Sequence, residues 1–165
     1  MLESIGELPS HPLFVHAPVA FTPLLAIFAL ALVARPSWRR RVGLALPVLS
    51  AGLAVATFLA KESGEELKDL LGDFAPNTDK HESLANTALV MILLLLVASA
   101  AMVAADRWAK ADDGPAWLPR AAAALLGLSV VLASLATIWI FRAGHEGARL
   151  VWKGTVQTMT AVALT

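Results

Sequence analysis

The chain is expected to be an all-α integral membrane protein, a four-helix up-down bundle, and two observations predict this. First, it holds four long apolar runs free of Lys, Arg, Asp and Glu, at residues 13–34, 42–60, 84–105 and 121–141. Each is close to the roughly 20 residues that cross about 30 Å of hydrocarbon at ~1.5 Å per residue. Second, 58% of the 165 residues are apolar and the mean hydropathy is +0.68, well above the roughly 45–50% apolar content of soluble domains. Membrane strands alternate in polarity over about 10 residues, so continuous apolar runs specify helices. Short connections then favour one domain over residues 1–165, with spans at about 12–34, 42–61, 80–105 and 118–142.

Span 1 opens on His11-Pro-Leu-Phe-Val-His16-Ala-Pro-Val-Ala20. Ser10 suits an N-cap and Pro12 a first turn. Pro18 and Pro23 each remove a backbone bond, which frees the carbonyls of Phe14 and Val19 and favours a bend. His16, Ala20, Pro23 and Ile27 recur on one helical face, leaving small groups beneath an imidazole. Glu3 and Glu7 precede the span with no Lys or Arg, so it reads as a retained span rather than a cleaved signal. In span 2, Gly52, Ala56 and Ala60 form a small-residue face suited to helix packing.

The loop between spans 2 and 3 predicts a short interfacial helix. Ser63 and Glu66 read as a capping box and Gly72 as its stop. Leu67, Leu70 and Leu71 lie opposite Glu65, Lys68 and Asp69, and Phe74 extends the apolar side. Such an element either lids the end of the bundle or simply closes a loop. Asp79 and Glu82 then suit a capping box for span 3, with His81 in its first turn above Ala85, Ala88 and Ile92. Gly144 and Gly147 are expected to end span 4 in a turn that folds His145 and Glu146 back.

Charge placement sets the expected orientation. The first loop carries Arg35, Arg39, Arg40 and Arg41, and the third carries Arg107, Lys110 and Arg120. The opposite side has Lys61, Lys68, Lys80, Arg142, Arg149 and Lys153. The counts are nearly equal, but an arginine cluster in the first and shortest loop favours that side as cytoplasmic. Both termini and all four histidines are then outside, in a bacterial inner membrane. Trp38, Trp108 and Trp117 mark the inner boundary, Trp139 and Trp152 the outer. Zero net charge without a basic stripe gives no support for nucleic-acid binding. The absence of cysteine removes disulfides, thiolate metal sites, iron–sulfur clusters and covalently attached haem.

His11, His16, His81 and His145 all fall at one end of the spans. Polar groups at membrane level are costly to keep, so such clustering points to function. Spans 1 and 3 of an up-down bundle are diagonal and run the same way, which would let His16 and His81 flank one iron as axial ligands of haem b. The Phe14 or Val19 carbonyl and Glu82 are candidates to hold the second ring nitrogens. His145 and Arg149 take secondary roles, with Arg142 or Arg149 facing a propionate. The pairs His81-Glu82 and His145-Glu146 suit a divalent ion such as Zn²⁺ as an alternative. Alternatively, interfacial histidines bond headgroups and water or sense pH, and Arg149 and Lys153 snorkel. No catalytic residue is indicated.

These motifs resemble the DUF2231 family of bacterial four-helix membrane proteins. The likeness rests on the HPxxVHxP-type opening at His11–Pro18, the histidine opening span 3, and Gly147-Ala-Arg-Leu-Val-Trp152 after span 4. Ala148 stands where the family pattern has a second glycine, and Lys153-Gly154 where a His-Gly often closes the segment. The resemblance implies the fold and topology more than a chemistry. Similar domains occur beside cytochrome modules, which favours a redox role.

Two functional classes follow. One is a membrane haem or metal protein passing electrons between a quinol or partner subunit and an external acceptor. The other is a non-catalytic accessory subunit packed within a larger membrane complex or against a second copy of itself. Transport is the weaker third, because no acidic side chain lies mid-span.

Overall fold

Proline and glycine punctuate the chain at the ends of its helices. In the computed structural model, described over residues 4–5, 8–110 and 114–163 with side chains over 9–110 and 114–153, a two-residue antiparallel pair, β1 (Ser4–Ile5) and β2 (Leu8–Pro9), precedes the first helix. Helix α1 (Ser10–Phe14) runs into α2 (His16–Ala34) with a break at Val15. That break adjoins the Phe14 carbonyl, whose ordinary donor is removed by Pro18. Pro36 starts α3 (Pro36–Val42), a short helix carrying Arg39, Arg40 and Arg41. Then follow α4 (Ala45–Leu71), α5 (Asp79–Trp108) and α6 (Leu118–Ala163). Glu3 and Glu7 lie outside the described residues.

Four helical stretches are long and apolar enough to cross a membrane: Ser10–Ala34, Ala45–Phe74, Asp79–Trp108 and Leu118–Lys153. Helix α2 packs against α4 and α6, and α5 packs against the same two, so α2 and α5 stand diagonally across the bundle as expected. Large apolar side chains cover the outside, including Phe21, Ile27, Val48, Val97 and Ile138. A surface of that kind needs lipid, not water, around it.

Four local expectations fail. The interfacial helix is not separate, because α4 continues unbroken through Ser63 and ends only at Gly72, whose φ of 50° places it in the left-handed region. Ser63 is a buried mid-helix residue bonding the Ala60 carbonyl, not a cap. At α5 the N-cap is Thr78, not Asp79, and the Thr78 hydroxyl donates to Glu82. Helix α6 does not stop at Gly144 or Gly147 but runs through both. Ser10, read as an N-cap, is inside α1 and buried.

The structure also reveals a repeat that no sequence motif announces. The buried positions of α2 are Pro18, Thr22, Leu25, Ala29 and Leu32. At a constant offset lie Ala88, Ile92, Leu95, Ser99 and Met102, every one buried in α5. Likewise Ser50, Leu53, Thr57 and Ala60 of α4 match buried Ala133, Ala136, Ile140 and Ala143 of α6. The molecule is therefore two hairpins with one burial pattern and different side chains. Among the described residues, buried Thr22, Ser50, Thr57, Ser99 and Ser129 donate within their own helices, as with Thr22 to the Pro18 carbonyl and Ser50 to that of Leu46.

Candidate functional site

The repeat brings two histidines together, and one of them is not the expected one. The ring facing His81 belongs to His11: the ring centres are 6.1 Å apart and the planes nearly perpendicular, at 85°. His16 is exposed, and its Nδ1–H donates 2.5 Å to Pro12 of the preceding turn. Five residues rotate a helix by about 500°, leaving the two side chains roughly 140° apart. Only one can point inward. His11 lies two turns before Pro18 on the buried stripe, whereas Ala20 and Ile27 beneath His16 are exposed. Small residues below His16 therefore face outward and make no cofactor slot. The stripe below His81 does point inward, through buried Ala88 and Ile92.

Each inward ring is held in the same way by the second helix of its own hairpin. The His11 Nδ1–H donates to the Ala60 carbonyl at 2.8 Å, with Ser63 Oγ 3.4 Å away. The His81 Nδ1–H donates to the Ala143 carbonyl at 2.9 Å. One turn beyond each carbonyl stands a glycine against the ring. A Cβ on Gly64 would fall 2.9 Å from His11 Cε1, and one on Gly147 would fall 3.1 Å from His81 Cε1. A neutral imidazole with its proton on Nδ1 keeps its lone pair on Nε2. A carbonyl thereby fixes the tautomer of each ring and leaves Nε2 as the available ligand.

The expected supporting groups are elsewhere. Glu82 does not hold His81; it pairs with Lys68 at 2.8 Å and accepts from Thr78. Nor do the Phe14 or Val19 carbonyls hold a ring. Glu146 pairs with Lys80 at 2.9 Å and with Arg149 at 3.2 Å, so Arg149 is engaged on its own helix. Arg142 stacks over Trp139 at 4.7 Å. His145 is exposed on α6, because that helix runs on rather than turning back. A groove of about 530 Å³ along α5, lined by Asp79, Glu82, Ser83, Asn86, Thr87 and Val90, includes neither inward ring.

The opposite end is basic. Arg39 Nε lies 3.0 Å from Asp106 Oδ2, tying α3 to the end of α5. Arg35 stacks over Trp38 at 5.1 Å, and Trp108 meets Trp117 edge-on at 6.4 Å. Arg40, Arg41, Arg107, Lys110 and Arg120 are exposed there.

The sequence model of DUF2231, described as a predicted membrane protein, matches residues 7–160. The chain belongs to the DUF2231 family. That match spans both hairpins and includes both inward histidines and both glycines beside them. Among curated proteins and among solved structures, nothing matches the chain.

Proposed function

We propose that this DUF2231 protein is a multi-pass protein of the bacterial inner membrane that carries a two-histidine metal site near the outer face, with His11 and His81 as ligands. One observation supports it most: α1 and α5 present imidazoles 6.1 Å apart, each with Nδ1 tied to a backbone carbonyl. With both Nδ1 atoms engaged, His11 and His81 would hold a metal through Nε2. The ligand number favours haem b over zinc. Haem iron asks the protein only for axial ligands, whereas a zinc site takes three or four protein ligands, and no cluster of three or more His, Cys, Asp or Glu suited to a metal occurs among the described residues. A haem there would supply one-electron chemistry, and the role is electron transfer with a quinol or partner subunit.

The decisive experiment is a visible spectrum and metal analysis of the protein purified from a haem-replete membrane. A Soret band with sharp reduced α and β bands is expected, lost in His11→Ala and in His81→Ala but kept in His16→Ala and His145→Ala. Retention of the full spectrum in the His11→Ala variant sinks the ligand assignment. A colourless, metal-free wild type leaves the rings as helix clamps and supports the accessory-subunit role.

The basic end is taken as cytoplasmic, since exposed Arg40, Arg41 and Arg107 obey the positive-inside bias there. The chain has no cysteine, so single cysteines report orientation cleanly. Asn77→Cys should react with an impermeant maleimide in intact spheroplasts and Ser37→Cys should not. The reverse pattern inverts the topology.

A further inference from the structure

We infer that Gly64 and Gly147 are positioning residues that set where the two inward imidazoles sit. This rests on the histidine-pair reading. Neither glycine terminates a helix or takes a positive φ; both lie inside α4 and α6, where glycine is ordinarily disfavoured against alanine by about 1 kcal/mol. At these two positions the rings supply a steric reason for glycine. At Gly64 a Cβ would meet His11 Cε1 at 2.9 Å and Nδ1 at 3.0 Å; at Gly147 it would meet His81 Cε1 at 3.1 Å and Nδ1 at 3.2 Å. Gly52, Gly127 and Gly144 in the same helices would meet nothing within 4 Å.

The two contacts are also equivalents in the repeat. Each glycine comes four residues after the carbonyl that accepts the ring proton, Ala60 then Gly64, Ala143 then Gly147. One turn of helix thus provides both a floor and a tether for one imidazole. Adding a methyl group pushes on a side-chain ring rather than on backbone, so the ring yields and the helix survives. The ring then leaves its carbonyl, and its place beside the other imidazole changes. The closer contact makes Gly64 the more sensitive position.

The test compares four full-length variants in detergent: Gly64→Ala, Gly147→Ala, and the controls Gly52→Ala and Gly144→Ala. Two readouts are taken, ¹⁵N resonances of selectively labelled histidine rings without added ligand, and titration with haemin. Gly64→Ala should move the His11 ring resonances and weaken haemin binding by about tenfold or more, the usual effect of disturbing a ligand's supporting contact. Gly147→Ala should do the same to His81 with a smaller shift, and it keeps the question open to measurement if Gly64→Ala fails to fold. Both controls should match the wild type. Ring resonances unchanged in Gly64→Ala and Gly147→Ala overturn the inference. Moved resonances in a protein that takes up no haemin uphold the positioning role while the haem reading falls.

Discussion

The two hairpins carry one histidine dock on unlike packing. In the second, α5 and α6 form the most extensive interface of the bundle, while α2 and α4 of the first share the least extensive of the four around the ring. Helix length gives a reason. Helices α5 and α6 run for 30 and 46 residues, whereas α2 has only 19. Both hairpins bury side chains of mixed size, Ala88, Leu95, Ala133 and Leu126 in the second and Leu25, Ala29, Ser50 and Leu53 in the first. In the first hairpin, α1 and its His11 therefore supply much of the contact to α4 that α2 does not make. The same hydrogen bond is a fastener in one half and an addition to a tight seam in the other.

That contrast can be broken at its core first. Leu95→Ala, fully buried in the tight half, should cost about 3–5 kcal/mol, and its counterpart Leu25→Ala about 2–3 kcal/mol, because a looser interface relaxes into the cavity. Equilibrium unfolding in mixed micelles checks the order, and equal losses would mean the two halves are packed alike. The histidines come next. His11→Ala should destabilise by about 1–2 kcal/mol and exceed His81→Ala, since it removes a buried-end hydrogen bond where fewer other contacts join the helices. A larger loss in His81→Ala would refute the fastener role.

Smaller effects sharpen the comparison further. Arg39→Ala at the basic end should cost about 1 kcal/mol or less, as a partly exposed ion pair does, and the loss should shrink in high salt. Lys80→Ala and Lys68→Ala remove the ion pairs to Glu146 and Glu82 around the histidine end. Neither should move the melting temperature measurably or change the histidine ring resonances. A shift in those resonances would show that the ion pairs help to hold the rings.

Four spans, their up-down order and the diagonal placement of the first and third were legible in the sequence. Hydrocarbon thickness leaves little freedom: an uncharged run of about 20 residues must be a helix, and short loops must join neighbours in antiparallel order. The end of the bundle at which the histidines lie was legible for the same reason, since position along a span follows from counting residues. The angle around each helix was not. His11 and His16 are both apolar-flanked histidines near one boundary, and only the buried stripe through Pro18, Thr22 and Leu25 selects His11. That stripe is hidden because a membrane helix is apolar on the lipid side as well, so hydrophobicity does not mark the inward face. The small residues under His16 consequently pointed to a ring that faces outward.

Loop and cap signals misled where helices extended beyond the apolar run. Ser63 and Glu66 have the spacing of a capping box, yet α4 passes through them because Ser63 is buried under His11. Gly147 reads as a helix stop in isolation. It stands inside α6, where the His81 ring lies against the space a side chain would need. Composition and length thus determined the helices, their number and their direction, because lipid dictates those to any single chain. Which imidazole meets which, and why glycine stands opposite each, depended on how four helices rotate against one another, a choice made by side-chain volumes meeting across the bundle.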